Sequence, residues 1–398
     1  MDPKTVSHII NETGEEREEY FNAVTPPIFQ TSNFSFKTVD NLRKAFADES
    51  ASFMYSRATN PTLKILSEKM AALDGAEDCL VFNSGSGTIF AAVLANVKSG
   101  DHIVSVANPY SWAKKMFDNV LPRFNVSTTY VDGRNIEDFE KAIQPNTSII
   151  YLETPNSWSF YLQDLEAVAG LARSKNQAGR QTKIITICDN SYCTPLYQRP
   201  IDMGIDLVLQ SATKYINGHS DVVAGVLCGR KGMIEKIFNS EYMNMGIGTT
   251  PFNAWLLIRG LRTLPTRLER VSVTTGKVVN YLKSKKEIEE ISYPFDKEFP
   301  QYELAKKQMS GAGGLFSFIL KAKTIREIEN FCDSLRHILM AVSWGGHESL
   351  IIPGCASVNA EDFDPENKIH RRLRMYVGLE DADYIIEDLE RGFQGMTV

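Results

Sequence analysis

The chain has 398 residues, of which 43% are hydrophobic and 23% are charged, and its formal net charge at pH 7 is −6. This composition is typical of an ordinary globular protein that has one large core and a smaller second one. The sequence has no basic stripe of the kind that neutralises phosphate backbones, so we expect no nucleic acid among its partners.

The start of the chain and its cysteines bear on location and metal binding. The first twenty residues are polar and acidic, unlike a signal peptide. No apolar run reaches the ~18 residues of a membrane span, so we expect a cytoplasmic protein without a membrane partner. Six cysteines are scattered without a C-x-x-C pair or zinc spacing, which predicts reduced, mostly buried thiols and no metal site.

Residues 1–50 are predicted to form an extended arm of the type that packs on a neighbouring chain. Their apolar positions lack periodicity, and Val24–Phe36 carries a Pro-Pro pair that cannot continue a helix. A clear helix follows, because Asn60 is a good N-terminal cap, Pro61 suits the first turn and apolar residues then recur every three or four positions. Gly75 is predicted to end this helix.

Short apolar runs then alternate with helical or loop patterns, which is typical of a mostly parallel α/β sheet. The predicted strands are Cys79–Phe82, His102–Val106, Thr128–Val131, Ser148–Leu152, Lys183–Cys188 and Asp206–Gln210. Helices become longer past residue 250. The elements predicted there are a helical region from Asn253 to about Ile291, a strand at Gly313–Leu320, a helix near Thr324–Met340, a strand at Arg372–Leu379 and a terminal amphipathic helix. We therefore divide the chain into an arm at 1–50, an α/β domain at 51–252 and a smaller α+β domain at 253–398.

Three features at the ends of predicted strands carry chemistry. The loop FNSGSG contains Gly85 and Ser86 and leads from a strand into a helix, so its backbone N–H groups suit a phosphate. Asp189 ends a second strand, at the edge where parallel sheets bind ligands. Lys214 follows a third, and a lysine behind an apolar strand is costly to bury unless it is used. Each feature alone also suits a structural turn, a cap or a surface lysine.

Together the three features match the requirements of pyridoxal 5′-phosphate. This cofactor needs a lysine that forms a Schiff base, a carboxylate that keeps the pyridine nitrogen protonated, and a cradle for the phosphate. Lys214 and Asp189 supply the first two, and the glycine–serine loop supplies the third. Ser211 and Thr213 flank the lysine with hydroxyl groups that suit the phosphate. The sequence therefore predicts a pyridoxal-phosphate site.

The motifs YSRATNPT, FNSGSG, SATKYINGHSDVVAG, RGLRTLPTRLER and VGLEDADYIIEDL occur in this order over almost the whole chain. They resemble the cysteine/methionine-metabolism family of pyridoxal-phosphate enzymes, which includes cystathionine β-lyase, γ-lyase and γ-synthase. The resemblance implies an α/β fold of fold-type I, with a large mostly parallel sheet domain, an N-terminal arm and a smaller C-terminal α+β domain. It also implies a small amino-acid substrate and a homo-oligomer, a dimer of dimers.

The resemblance further implies roles for matching residues. Tyr110 would stack on the pyridine ring and accept a proton from the substrate amine. Arg374 would hold the substrate carboxylate as a bidentate partner, helped by Ser343. Tyr55 and Arg57 would reach across the dimer to the phosphate bound by the neighbour.

Two positions resemble the bacterial cystathionine β-lyase branch of the family. Ser157 stands where most members have Asn, and Trp344 stands where γ-acting members usually have Leu. Both would lie by the substrate and favour β-elimination of L-cystathionine to homocysteine, pyruvate and ammonia, with Lys214 taking the Cα proton. The motif at Tyr55–Thr62 has the general family form, so a γ-acting member (cystathionine γ-lyase, cystathionine γ-synthase or O-acylhomoserine sulfhydrylase) stays open. A non-catalytic cofactor-binding protein is a remote alternative.

Overall fold

The computed structural model describes residues 1–396 of the chain. Its large sheet contains β1 (Asp78–Phe82), β2 (His102–Val106), β3 (Ser127–Val131), β4 (Thr147–Glu153), β5 (Ile185–Asp189), β6 (Leu207–Gln210) and β7 (Gly225–Gly229). Within the described range the strand order is β1-β7-β6-β5-β4-β2-β3. β7 runs antiparallel to both of its neighbours, and the pairs from β6 to β3 are parallel. The prediction of a large, mostly parallel α/β sheet is therefore confirmed.

Helices cover both faces of this sheet, and further helices follow its last strand in the sequence. They are α1 (Pro3–Asn11), α2 (Val39–Ala47), α3 (Pro61–Asp74), α4 (Gly85–Leu94), α5 (Ser111–Lys115), α6 (Ile136–Ala142), α7 (Leu165–Gln177), α8 (Thr194–Tyr197), α9 (Lys231–Ile237), α10 (Met243–Met245), α11 (Pro251–Lys283), α12 (Tyr302–Gln308), α13 (Ile325–Asp333), α14 (Lys368–Arg371) and α15 (Ala382–Gly395). Short 3-10 turns lie at Arg17–Tyr20, Leu121–Phe124, Gly354–Ser357 and Ala360–Asp362, and π-helical turns at Met116–Val120 and Phe238–Tyr242.

The strand β7 was not predicted from the sequence. Its sequence GVLCG has glycine, a poor strand former, at both ends. The structure shows why Gly225 is needed, because a Cβ atom there would lie 2.1 Å from the Thr88 hydroxyl oxygen in α4. Glycine is therefore favoured at residue 225 because it lets α4 pack closely against β7, although glycine has a low propensity for strands.

The helix α3 has the predicted start and end. The Asn60 side chain accepts a hydrogen bond from the backbone N–H of Thr62, and Gly75 ends the helix with φ 71°. The last residue, Asp74, is fully buried, and its Oδ2 accepts a hydrogen bond from the Gln210 side chain in β6 at 2.8 Å. Burial raises the pKa of Asp74 from its ordinary 3.8 to about 7.

Replacing Asp74 by Asn is expected to make stability less dependent on pH. The contribution of a carboxyl with a raised folded-state pKa is fully present below the unfolded pKa near 3.8 and is lost as pH rises through about 7. Asn does not ionise, so between pH 5 and 8 the melting temperature of Asp74→Asn should fall less than that of the wild type, by a few degrees. Thermal unfolding followed by circular dichroism measures this, with the exposed Asp333→Asn as control. Identical pH slopes for the wild type and Asp74→Asn would contradict it.

The first twenty residues correct the prediction of an extended arm. Asp2 caps α1, whose buried residues pack against α3 and α11 of the same chain. Glu15 is buried, with its Oε1 3.0 Å from Lys69 Nζ and 2.9 Å from Arg262 Nη2. The prediction was wrong here because it overlooked the short helical spacing of Val6, Ile9 and Ile10, and because the docking of this helix depends on partners far along the chain.

A second sheet follows, formed by β8 (Ile288–Ser292), β9 (Leu315–Leu320), β10 (Leu339–Met340), β11 (Leu350–Pro353) and β12 (Arg372–Tyr376). Among residues 1–396 its order is β10-β11-β12-β9-β8, and it is antiparallel except for the pair β10–β11. The predicted helical region therefore ends at Lys283, and Ile288–Ser292 is instead an edge strand. The predicted helix near Thr324–Met340 ends at Asp333, because the Asp388 carboxylate in α15 accepts the N–H groups of residues 336, 337 and 338.

Three further observations bear on the predictions. The six cysteines are free and buried, as predicted. In the part of the chain that the structure describes, none of the helices is long and apolar enough to span a membrane. The predicted domain boundary at 252/253 falls at the start of α11, which connects the two sheets in sequence, and the division into domains remains a prediction.

Candidate active site

A cavity of about 500 Å³ opens at the carboxyl ends of β4, β5 and β6, where the loop between β10 and β11 and the strand β12 face the large sheet. Most of the predicted site residues meet there. Those that line it are Gly85, Ser86, Tyr110, Ser157, Asp189, Ser211, Thr213, Lys214, Ser343, Trp344 and Arg374. Tyr55 and Arg57 are not among its lining residues.

One end of the cavity can bind an anion. The helix α4 starts at Gly85, and the first N–H groups of a helix have no partner within it. Ser84 caps the helix from outside, so the N–H groups of Gly85 and Ser86 remain available to a ligand. A Cβ atom at Gly85 would lie 3.0 Å from the Ser211 Cβ, so glycine lets the helix approach the end of β6. Ser211 and Thr213 add hydroxyl groups to the cavity wall.

Asp189 contributes a carboxylate to the cavity wall. It is the last residue of β5 and is buried, and its Oδ1 accepts the N–H of Ser191 at 2.9 Å. Ser191 in turn accepts the N–H of Ser211 at 2.7 Å, which links this end of β5 to the residue after β6. Burial raises the pKa of Asp189, while the hydrogen bonds from Ser191 and the charge of Lys214 oppose the shift. Such a carboxylate suits a protonated ring nitrogen.

Lys214 extends from the turn after β6 towards the same space. Its Nζ donates a hydrogen bond to Ser343 Oγ at 2.5 Å and lies 5.5 Å from the centroid of the Trp344 ring. Burial lowers the pKa of Lys214 to about 8, and the positive charge of Arg374 adds to the shift. A useful fraction of the amine is therefore unprotonated near neutral pH, as a base or nucleophile requires.

The loop that carries Ser343 is packed tightly against the backbone of Lys214. Ser343 has φ 80° and Gly345 has φ 89°, both in the region that favours glycine. A Cβ atom at Gly345 would lie 2.8 Å from the carbonyl carbon of Lys214. The position of the lysine thus depends on the absence of a side chain at residue 345.

Arg374 supplies a second cation from β12. Its Nη1 donates to the Ser157 carbonyl at 3.3 Å, and its guanidinium carbon lies 4.6 Å from the centroid of the Trp158 ring. Burial lowers the pKa of Arg374 to about 10, so the group remains charged at neutral pH. The planar fork of donors at this position can bind a carboxylate.

Trp344 and Ser157, which led to the prediction of β-elimination, make most of their contacts with other residues of the protein. Trp344 is only 7% exposed, and its ring packs against Tyr215 and Tyr192, with centroid distances of 5.3 and 6.4 Å. Ser157 contacts Glu153 through both its side chain and its backbone, whose N–H donates to Glu153 Oε1 at 2.9 Å. Most of the Trp344 indole is thus committed to packing, and little of its surface is left for a substrate.

Three predicted aromatic and basic residues lie near the outside of the chain. Tyr110 lines the cavity with 40% of its surface exposed, at the start of α5. Tyr55 is half exposed, and Arg57 is exposed and donates to the Met243 carbonyl at 2.6 Å. The structure therefore leaves Tyr55 and Arg57 outside the cavity of their own chain, and their role at a neighbouring site stays a prediction.

The sequence reasoning missed several residues of the cavity wall. They include Trp112, Glu153, Trp158, Ser191, Val223, Val342 and Ile352. Glu153 could have been found by the rule that found Asp189, because it ends β4 and is the direct Cα partner of Asp189. The apolar members gave no comparable signal.

The cavity fits pyridoxal 5′-phosphate. The start of α4 offers N–H groups for a phosphate, Asp189 offers a buried carboxylate for a ring nitrogen, and Lys214 offers an amine of lowered pKa for an aldehyde carbon. Because residue 85 is glycine, no side chain at the start of α4 comes between its N–H groups and the hydroxyl group of Ser211.

Comparisons with known proteins agree with this geometry. The sequence model of the family described as Cys/Met metabolism PLP-dependent enzyme matches residues 7–394. The L-methionine gamma-lyase of Treponema denticola is 38% identical over 95% of this chain and 94% of its own length. The cystathionine gamma-lyase of Macaca fascicularis is 33% identical over 96% and 91%, respectively. The crystal structure of metB from Corynebacterium glutamicum is 30% identical, covers 99% of both chains and superposes with a TM-score of 0.88.

Proposed function

Because the chain belongs to the Cys/Met metabolism family of enzymes that depend on pyridoxal phosphate, we propose that it is a carbon–sulfur lyase that cleaves at Cγ of an uncharged thioether amino acid such as L-methionine. The products would be methanethiol, 2-oxobutyrate and ammonia. Methionine and cystathionine gamma-lyases are among its relatives. They favour the γ-acting alternative over β-elimination of L-cystathionine.

The observation that carries the proposal is the charge of the cavity wall. Of the described residues that line it, the charged ones are Glu153, Asp189, Lys214 and Arg374. Asp189 and Lys214 would serve the cofactor, and Arg374 would bind the α-carboxylate. Glu153 already accepts two backbone N–H groups. Along this wall no cation is then left over for the second carboxylate of cystathionine, so an uncharged side chain fits better.

The apolar part of the wall suits such a side chain. Trp112, Val223, Val342 and Ile352 line the cavity, and the first three are more than half exposed there. A thioether that leaves water for this surface gains about 25 cal/mol per Å² of apolar area buried. This gain is available to a methylthio group, whereas the charged end of cystathionine would lose hydration without gaining a partner.

The residues of this chain would divide the work as follows. When bound, pyridoxal phosphate supplies an electron sink for bond changes at Cα. Lys214, whose pKa is lowered to about 8, would move protons at Cα and, for cleavage at Cγ, also at Cβ. Arg374 would orient the carboxylate so that the Cα–H bond stands perpendicular to the cofactor ring. Tyr110 would cover the ring and accept the proton of the substrate amine, and Ser343 would hold Nζ of Lys214.

The keto acid formed is the test of this proposal. L-Methionine should yield 2-oxobutyrate and methanethiol, and kcat/KM should be higher for L-methionine than for L-cystathionine. Pyruvate as the main product from L-cystathionine would instead support β-elimination. A protein that binds the cofactor, seen by its visible absorbance, but turns over none of these amino acids would support the non-catalytic alternative.

We also infer that the site is completed in a homo-oligomer, a dimer of dimers in which Tyr55 and Arg57 serve the neighbouring cavity. Support comes from the exposure of both residues outside their own cavity. The segment before them also exposes large apolar side chains that a second copy would cover. These are Phe21, Val24, Val39 and Phe46, with 63–99% of their surfaces exposed.

Mixing two inactive variants tests the shared site. Arg57→Ala subunits lack the group that would reach the neighbour, and Lys214→Ala subunits lack the amine of their own cavity. After dissociation and reassociation, mixed dimers should contain one intact site, so activity should return to about a quarter of the wild type when subunits combine at random. The double variant mixed with Arg57→Ala is the control and should stay inactive. An active monomer in sedimentation would contradict the shared site.

A further inference from the structure

Glu153 joins two segments of the cavity wall through one side chain. It is the last residue of β4 and only 4% exposed. Its Oε2 accepts the N–H of Tyr110 at 2.5 Å, and its Oε1 accepts the N–H of Ser157 at 2.9 Å. Hydrogen bonds to an ionised acceptor are about twice as strong as neutral ones. One carboxyl group thus fixes the backbone at both residues.

The contact with Ser157 extends to Arg374. The Ser157 carbonyl accepts a hydrogen bond from Arg374 Nη1 at 3.3 Å, and the next residue, Trp158, lies under the guanidinium. Burial lowers the pKa of Arg374, and the negative charge of Glu153 opposes that shift. Glu153 therefore acts on Arg374 both through the backbone and through charge.

A carboxylate at this position has an electrostatic cost. Asp189 is its Cα partner on β5, and two buried carboxylates side by side repel each other. Burial, and then the charge of Asp189, raise the pKa of Glu153 to about 7. A neutral acceptor could hold backbone N–H groups without this repulsion. The hydrogen bonds from Ser157 and from the Tyr110 backbone lower the pKa of Glu153 and so oppose this shift.

We propose that Glu153 is a positioning residue, which sets the separation between the Tyr110 ring and the Arg374 guanidinium by holding the backbone at Tyr110 and Ser157. Both groups line the cavity in which we propose that cofactor and substrate bind. The inference rests on the proposed function for the roles of Tyr110 and Arg374. It does not depend on which carbon–sulfur bond is cleaved.

The test compares Glu153→Gln with the wild type and with Glu77→Gln. The side-chain amide introduced by Glu153→Gln would turn its NH₂ donor towards one of the two backbone N–H groups and lose that bond. Glu77 is an exposed acid outside the cavity, whose Oε2 accepts the Lys231 N–H at 2.9 Å, so its variant also removes an acceptor from a backbone donor. In cofactor-free protein, amide exchange should quicken around Tyr110 and Ser157 in Glu153→Gln, and only around Lys231 in the control.

Measurements on the protein with bound pyridoxal phosphate distinguish a positioning role of Glu153 from a merely structural one. In Glu153→Gln, the dissociation constant of pyridoxal phosphate should stay within about threefold, because the phosphate end and Lys214 are unchanged. The visible circular dichroism band of the cofactor should shrink as the Tyr110 ring shifts. Binding of L-2-aminobutyrate, which has no leaving group, should weaken about tenfold, and kcat/KM with the best thioether substrate should fall about ten- to a hundredfold, mainly through KM.

Several outcomes would overturn the proposal. The first is that Glu153→Gln keeps both its visible dichroism band and its affinity for L-2-aminobutyrate within about twofold of the wild type. The second is that Glu77→Gln loses as much of the dichroism band and of this affinity as Glu153→Gln does. If Glu153→Gln does not fold, Glu153→Asp decides, because the shorter side chain keeps the charge but cannot reach both N–H groups. Its L-2-aminobutyrate affinity should fall, and an unchanged affinity would contradict the proposal. Since L-2-aminobutyrate loses no sulfur, these results do not depend on the product test.

Discussion

Replacing Lys214 by Ala is expected to abolish turnover while the protein still folds and binds pyridoxal phosphate. The phosphate end at α4 and the Asp189 carboxylate remain, but the amine proposed to move the substrate proton is gone. Loss of a positioned base lowers kcat by about 10²–10⁴-fold, and the loss here should reach the upper part of that range because we propose that the same amine also holds the cofactor.

Reduction with borohydride followed by mass measurement of the protein checks this result. The wild type should gain the mass of the reduced cofactor, and Lys214→Ala should not. Lys175→Ala is the matched control, since Lys175 is paired with Glu140 on the surface at 2.8 Å and lies outside the cavity. Near-normal turnover by Lys214→Ala would remove the basis for the assignment.

Replacing Arg374 by Lys is expected to lower kcat/KM for the amino acid by about 10²–10³-fold, although the positive charge is kept. Lysine cannot form the bidentate contact with a carboxylate, and it would not maintain the stacking of the guanidinium on Trp158. Most of the loss should appear in KM. Initial rates over a range of substrate concentrations separate the two parameters.

Arg372→Lys is the control for that measurement. Arg372 lies two residues earlier on the same strand and faces the same side, but it is not part of the cavity wall, and its Nη1 donates to the Trp158 carbonyl at 3.1 Å. Its kcat/KM should stay within about threefold of the wild type. Equal losses in the two variants would mean that the strand, rather than the Arg374 side chain, is disturbed.

The parts of the candidate site that lie at the carboxyl ends of parallel strands could largely be predicted from the sequence. The carboxyl ends of parallel strands meet at one edge, so the amino-acid sequence alone was enough to place Asp189 and Lys214 together. Arg374 and Ser343 could be placed only by resemblance, because they come from the second sheet and nothing in their local sequence says where that sheet docks. Glu153 satisfies the same rule as Asp189 and was missed.

Where the fold differs from prediction, contacts between distant residues decide the local structure. Asp388 ends α13 by binding three backbone N–H groups, and the burial of Glu15 against Lys69 docks the N-terminal segment on its own chain. Gly225 has no side chain and therefore lets β7 lie close to Thr88 in α4. These partners all lie outside the window of residues that a periodicity analysis compares.

The carbon that reacts is harder to predict from the sequence than the cofactor. Cofactor binding depends on charged and polar groups whose types are constrained by the chemistry of the ring and phosphate. The prediction of Cβ rested on the identities of Ser157 and Trp344, and the identity of Trp344 does not report how much of its surface faces the cavity. Its 7% exposure shows that most of the indole packs against other aromatic rings.

The tight contact between Gly345 and the backbone of Lys214 has a consequence for how this enzyme can evolve. In a saturation library, any side chain at residue 345 would collide with the lysine backbone and would have to adopt φ 89°, so only glycine should survive selection. Three residues earlier, Val342 lines the same cavity with 81% of its surface exposed, and substitutions there meet no such barrier. We therefore expect new substrate preferences to arise at Val342, while Gly345 keeps the backbone of Lys214 in place.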